Sequence, residues 1–247
     1  MIILFTDFGL SGPYVGQMKA VLADHTVIDL QHDAPPCAPK AAAYLLASLT
    51  GQFPADCIFL CVVDPGVGGD RAPGVLKAGD QWFVGPDNGL FEMVIRQSIA
   101  SGLRVQWWDI TWRPDTPSAS FHGRDIFAPI AARIAAGQGP LVGGDDIFSE
   151  RDLVAVRHQN WPDDLAEVIY IDGFGNAMTG ISGRSLDRAS KVTVNDQELH
   201  FCETFSGVCE GVCFWYENSC GLVELAVNKG RAAERLELSI GTAVSVA

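Results

Sequence analysis

The sequence predicts an α/β protein in two parts: an N-terminal α/β domain with a mainly parallel sheet over residues 1–158, then a smaller C-terminal antiparallel β-barrel domain over residues 165–247. Three observations carry this. Apolar runs of strand length alternate with runs of helical periodicity through the first 150 residues or so. The run Cys57–Val63 is apolar throughout, as expected of a strand covered on both faces. After about Arg157 the texture changes to short β-like runs separated by turn residues.

Taken in order, Ile2–Phe5 is a first strand that ends in the polar turn Thr6-Asp7-Phe8-Gly9. Tyr14–Leu22 repeats apolar residues at helical spacing, and Val27–Leu30 is a second strand stopped by His32-Asp33-Ala34-Pro35-Pro36. Lys40–Leu49 is an alanine- and leucine-rich helix, and Cys57–Val63 is the third strand. Gln81–Val84 is a fourth, turning through Gly85-Pro86-Asp87-Asn88-Gly89 into a helix over Leu90–Gln97. A further helix is expected over Ile126–Ala136. The stretch around Pro162 reads as a linker, and beyond it strands are expected at Val168–Ile171, Lys191–Val194, Leu199–Cys202, Val212–Tyr216, Leu222–Val227 and Ala243–Val246.

Composition narrows the function. With 247 residues, 48% of them hydrophobic, the chain has ample material for a core. A formal charge of −13 leaves no basic surface to displace phosphate counterions, which argues against nucleic acid as a partner. The same charge tolerates a cationic small substrate. No run of about 18 apolar residues occurs, so no membrane span is expected. The start, MIILFTDFG, lacks a basic segment and reads as a strand rather than a signal peptide. The seven cysteines form no C-x-x-C pair, and reduced thiols in a cytoplasmic protein are the default reading. The five histidines, His25, His32, His122, His158 and His200, show no metal-ligand spacing, so no metal is expected.

The loops after the strands hold the reactive residues. In open α/β sheets ligands gather outside the carboxyl ends of the strands, so the loops starting at Thr6, His32 and Asp64 are placed to share one crevice. In Asp64-Pro65-Gly66-Val67-Gly68-Gly69-Asp70-Arg71 an acid follows a buried strand and an arginine arrives seven residues later. A loop that curls back pairs them, as a catalytic orienting contact or as a structural salt bridge. His122, in Phe121-His122-Gly123-Arg124-Asp125, stands at a helix N-terminus, where the dipole disfavours a charged imidazole. Arg124 and Asp125 read equally as a capping and ion-pair arrangement. Asp7 is placed either to hold two ribose hydroxyls or to cap a turn. Asp172-Gly173-Phe174-Gly175-Asn176 either binds a base and an amine or forms a tight turn.

Six segments together, TDFG (Thr6–Gly9), YVGQMK (Tyr14–Lys19), VDPGVG (Val63–Gly68), GPDNGL (Gly85–Leu90), FHGRDIFAP (Phe121–Pro129) and FGN (Phe174–Asn176), resemble the S-adenosyl-L-methionine hydroxide adenosyltransferases, relatives of fluorinase and chlorinase. The resemblance runs to the SCGLVELAVN segment and so covers almost the whole chain. It implies a homotrimer whose sites lie between the N-terminal domain of one subunit and the C-terminal domain of the next. It implies a catalytic set of Asp64, Arg71 and His122, with no cofactor. It also implies Asp7 on the ribose hydroxyls, Phe121 against adenosine, Asp172 on the methionine amine, Asn176 on the adenine, Ser219 at the methionine end and Asn228 framing the adenine. The implied reaction is displacement at C5′ by water or hydroxide, giving adenosine and L-methionine.

Three positions depart from the family pattern. Cys37 replaces an aromatic after the double proline, Gly180 replaces an asparagine after threonine, and Cys220 stands where the halogenases have arginine. The first and third touch the methionine-side contacts, and the second is expected to affect a turn. Two alternatives stay open: a chlorinase-like halogenase, and a non-catalytic binder of adenosine-type ligands. An anion near C5′ would be repelled by Asp64, which favours hydroxide over halide.

Overall fold

The computed structural model describes residues 1–142 and 146–247, which divide into two compact units, Met1–His158 and Gln159–Ala247. In the first unit β1 (Ile2–Thr6) is buried along its whole length. It pairs in parallel with β2 (Val27–Gln31) on one side and β3 (Ile58–Val62) on the other. α1 (Tyr14–Val21) connects the first two of these strands and α2 (Pro39–Thr50) the next two. A strand flanked on both sides and covered on both faces has no surface on which to place polar side chains, hence IILFT and IFLCV. Side chains alternate between the faces. Ile2, Leu4, Ile58 and Leu60 pack with Met18 and Leu22 and with Ile126–Ile134, and Phe59 stacks on Phe83 at 4.9 Å.

The sheet continues through β4 (Pro73–Ala78), β5 (Gln81–Pro86), β6 (Val105–Ile110) and β7 (Phe148–Arg151), in the order β2-β1-β3-β5-β4-β6-β7. α3 (Glu92–Ala100) follows β5. Here the expectation of a mainly parallel sheet is corrected. The pairs β1–β2, β1–β3 and β3–β5 are parallel, but β4–β5, β4–β6 and β6–β7 are antiparallel. β4, β6 and β7 are the strands without a clear sequence signal. β4 opens on Pro73-Gly74, a turn-like pair, while β6 carries Gln106 and Asp109 and β7 is FSER. The single helix expected over Ile126–Ala136 is likewise two pieces: a π-helical turn, Gly123–Phe127, running into α4 (Ala128–Ala135).

The second unit is a seven-stranded sheet in the order β14-β10-β11-β12-β13-β9-β8. Its strands are β8 (Leu165–Ile171), β9 (Ala177–Ser182), β10 (Val192–Val194), β11 (Gln197–Phe201), β12 (Cys213–Glu217), β13 (Leu222–Val227) and β14 (Ser245–Val246), with α5 (Ala232–Arg235) after β13. The segment before β14 bonds back to β8 through Val168 N–H to Thr242 O, Gly241 N–H to Val168 O and Val244 N–H to Ala166 O, at 2.8–2.9 Å. The sheet therefore nearly closes around Trp215, Val192, Val223 and Leu225. One pair, β11–β12, is parallel and departs from the antiparallel expectation. Gly180 lies in mid-strand in β9 opposite Leu165, not in a turn, and a Cβ there would meet the Leu165 side chain at 2.6 Å.

One ionic cluster closes the first unit. Glu92, 1% exposed, accepts from Arg96 Nε at 2.7 Å, Arg157 Nε at 2.9 Å and the His158 N–H at 2.9 Å. Burial pushes its carboxyl up, but hydrogen bonds from Arg157, Arg96 and His158 outweigh burial and hold it below the ordinary range. E92A strands two guanidinium groups, and a loss of about 3 kcal/mol in urea unfolding is expected. Because the folded carboxyl is the stronger acid, this stabilisation is present in full above its unfolded value of 4.5. It is lost as pH falls through the lower folded value, so the gap between wild type and E92A should narrow in acid.

Candidate active site

The parallel strands β1, β2, β3 and β5 end on one edge, and the loops that leave them are stitched together there. The Asp7 N–H donates to Val62 O at 3.4 Å, Gly9 N–H to His32 O at 2.6 Å and Ala34 N–H to Thr6 O at 3.1 Å. Asn88 Nδ2 donates to Val63 O at 2.9 Å, and Thr6 Oγ1 meets His32 Nδ1 at 2.8 Å in a buried contact. His32 is thus occupied in fixing two strand ends to each other.

Asp64 leaves β3 and the next seven residues fold back on it. Val67 N–H bonds Asp64 O, Gly69 N–H bonds Gly66 O, and Gly68 takes φ +79°, a conformation open to glycine at little cost. That return brings the Arg71 guanidinium onto both carboxylate oxygens of Asp64, with Nε to Oδ1 at 2.9 Å and Nη2 to Oδ2. Both side chains are almost wholly buried. The same Nη2 lies 2.9 Å from His122 Nδ1, and the guanidinium carbon sits 5.3 Å above the Phe127 ring.

A guanidinium has donors and no acceptor, so His122 Nδ1 accepts and carries no proton. Its neutral ring therefore bears its proton on Nε2. Burial first, then the positive charge of Arg71, lowers the His122 pKa from the ordinary value, and Arg113 acts in the same direction. Arg113 is a residue the sequence gave no reason to single out. Its Nη1 donates to Ile110 O and Trp112 O, both at 2.8 Å, and its own charge is disfavoured by burial and by Arg71.

Asp7 is half-buried and its carboxyl is pushed up, by burial and to a lesser degree by the negative charge of Asp64. Its Oδ2 accepts the Cys37 N–H at 3.0 Å, with Cys37 at φ +55°. At the departure noted in the sequence, the contact to Asp7 is made by backbone. Phe121 is 9% exposed and packs edge-on against Phe8 at 5.7 Å and Tyr14 at 5.3 Å. Arg124 pairs with Asp125, whose Oδ2 also accepts the Ser118 N–H at 2.7 Å, so these two hold the loop in place.

In the second unit a cavity of about 620 Å³ is walled by Asp172, Phe174, Asn176, Tyr216, Val227 and Arg231, among others. Asp172 organises its own turn: Oδ1 accepts the Phe174 and Asn176 N–H groups at 2.9 and 2.8 Å, and Oδ2 accepts Asn176 Nδ2 at 3.2 Å. Phe174 stands 78% exposed. Ser219 sits on the β12–β13 turn and Asn228 donates to Val208 O at 2.8 Å; neither is among the cavity walls. Phe205, Tyr216, Lys229 and Arg231 are walls that sequence reasoning assigned no role. Tyr216 was hidden because, in FWYE, it reads as one more core aromatic.

Among the described residues no group of three or more His, Cys, Asp or Glu side chains is placed to hold a metal ion, and no helix is long and apolar enough to cross a membrane. A buried acid–guanidinium–imidazole chain beside the carboxyl ends of parallel strands is the construction of a small-molecule enzyme. Residues 2–143 match the SAM hydroxide adenosyltransferase N-terminal domain and residues 166–245 the corresponding C-terminal domain, and the chain belongs to this family. It is 37% identical to an (R)-S-adenosyl-L-methionine hydrolase of Salinispora tropica, covering 98% of this chain and 95% of that one. It is 36% identical to the protein of the same name from Thermus thermophilus, covering 98% of each. The solved structure of an uncharacterized conserved protein from Thermotoga maritima is 32% identical and superimposes with a TM-score of 0.83, covering 100% of this chain and 99% of that one.

The Arg71–His122 contact has a direct readout. In R71M the cation that holds His122 neutral is gone while Asp64 remains. The His122 titration midpoint, followed by NMR of the imidazole, is expected to rise toward its ordinary range, since burial and Arg113 still oppose the charged ring. A midpoint that stays put or falls would show that Arg71 does not set the protonation of His122.

Proposed function

We propose that this chain is an S-adenosyl-L-methionine hydrolase. The oxygen of water forms a bond to C5′ of the ribose, the C5′–sulfur bond breaks with its electron pair going to sulfur, and the water gives up a proton. The products are adenosine and L-methionine. The observation that supports this reading best is the continuous Asp64–Arg71–His122 hydrogen-bond chain. A sulfonium is already a cationic leaving group, so the step as written calls for no metal and no cofactor. What it lacks is a good nucleophile, since water must be held in line and relieved of a proton, a service worth about 10²–10⁴-fold.

In this proposal each member of the set has one task. Arg71 spends its donors on Asp64 and His122 and holds both still. His122, with its proton on Nε2, donates to the water oxygen and turns the lone pair toward C5′. Asp64 keeps carboxylate lone pairs beyond those used by Arg71, and these accept the proton the water loses. Asp7 keeps Oδ1 for the ribose hydroxyls, since Oδ2 already takes the Cys37 N–H. Phe121 packs on the adenosine, Asp172 takes the methionine amine and Asn176 the adenine. Ser219 lies toward the methionine end and Asn228 frames the base through the loop it pins. The enzyme acts as a cytoplasmic homotrimer, with loops of one subunit facing the cavity of the next.

Purified protein incubated with S-adenosyl-L-methionine in oxygen-18 water is expected to yield equimolar adenosine and methionine, with the label on the adenosine 5′-hydroxyl. D64N should lower kcat by about 10²–10⁴-fold, while D7A should act chiefly on KM. Label recovered elsewhere, or a D64N variant at full rate, would overturn the mechanism. Light scattering should give three times the chain mass.

A further inference from the structure

β13 carries an acid where a buried strand calls for an apolar residue. Glu224 is 3% exposed within LVELAV, every residue of which is buried. Its Oε1 accepts the Tyr216 hydroxyl at 2.6 Å and its Oε2 accepts Asn218 Nδ2 at 2.7 Å. Asn218 in turn accepts the Cys220 and Leu222 N–H groups at 2.9 and 3.0 Å, so the turn that carries Ser219 hangs from this carboxylate. A buried charge is costly unless it is paired, and among the described residues Glu224 has no cationic partner. The other carboxylate, Asp172 in the cavity wall, also has none. The cations of the same wall are already engaged: Lys229 with Glu210 at 3.0 Å, and Arg231 with Glu234 at 2.6 Å and with Gly173 O at 3.0 Å.

The direction of the Tyr216 hydrogen bond matters. Its only proton goes to Glu224, so the phenol oxygen can offer a cavity ligand nothing but lone pairs. Asp172 likewise only accepts. We infer that Glu224 is a positioning residue that fixes Tyr216 as an acceptor beside Asp172, making this cavity selective for a cationic, N–H-donating group, namely the α-ammonium of the substrate. This rests on the hydrolase reading for the substrate's identity and extends it to a residue that touches no ligand. The amide introduced by E224Q reverses the arrangement. Its oxygen takes the Asn218 donor, its NH₂ donates to the phenol oxygen, and the Tyr216 proton is turned toward the cavity, where it opposes an ammonium.

The test compares two non-reactive ligands that differ only in the α-amine: S-adenosyl-L-homocysteine and its desamino analogue, titrated calorimetrically into the full-length protein. Wild type is expected to prefer the amine-bearing ligand by about tenfold or more, the range for a hydrogen bond to a charged group. E224Q and Y216F should cut that preference severalfold, weakening the amine-bearing ligand more than the desamino one. If wild type binds the two ligands equally, or if the variants keep its preference, the inference is overturned. Equal weakening of both ligands would overturn it too, as the mark of a purely structural role. Should E224Q fail to fold, the Y216F ratio decides. Turnover is read separately: discrimination of the amine without adenosine release from S-adenosyl-L-methionine would sink the hydrolase reading and leave this one standing.

Discussion

The arrangement at the strand edge depends on a single guanidinium. Arg71 can only donate, and it donates to three atoms at once: both oxygens of Asp64 and the Nδ1 of His122. That requirement reaches outward. It needs a strand that ends just before Asp64, a loop that doubles back within seven residues, and a histidine delivered from a segment some fifty positions later in the chain. The Gly66–Gly69 turn meets the second need and the π-helical turn after His122 the third. The planar fork also makes the choice of arginine specific. A lysine at this position would be a point charge and could not span a carboxylate and a ring nitrogen in one plane.

The balance of charge in the two units follows one logic from opposite directions. In the first, a cation neutralises an acid and keeps a neighbouring imidazole uncharged, so the buried set holds one positive and one negative charge. In the second, two acids, Asp172 and Glu224, lack cations of their own while Lys229 and Arg231 are tied up by Glu210 and Glu234. Burial and Asp172 both push the Glu224 carboxyl up, which is the electrostatic signature of a place where a positive charge is missing. A ligand that brings an ammonium and a sulfonium carries what such a cavity lacks.

How much of this was legible in the sequence depends on the kind of signal each part sends. β1 and β3 announce themselves because burial on both faces forces continuous apolar runs. β4, β6 and β7 do not, since they carry proline, glycine or polar residues and are defined by neighbours distant in sequence. Missing them turned a sheet that is half antiparallel into a mainly parallel one. The Asp64–Arg71 pairing was readable from an acid after an apolar run and an arginine beyond a glycine-rich loop, whereas His122 joined them only through the family resemblance; the structure brings all three side chains into contact. Glu224 and Tyr216 were not, because the pattern around them is that of a core strand. Only the hydrogen bond between them reveals their direction. Cys37 shows a third case: its side chain looked like the informative departure, whereas its amide makes the contact.

The π-helical turn at Gly123–Phe127 amounts to a phase shift written into the chain. A π turn holds about one residue more than an α turn, and each residue of an α-helix advances it by about 100°. Deleting one position there would let the segment relax into plain α-helix. α4 would stay seated on the sheet through Ile130 and Ile134, but everything upstream of it would rotate by roughly that angle. Phe121 would leave Phe8 and Tyr14, and His122 would swing away from Arg71. The length of this one turn therefore behaves as a gauge that sets the phase of both Phe121 and His122 against α4.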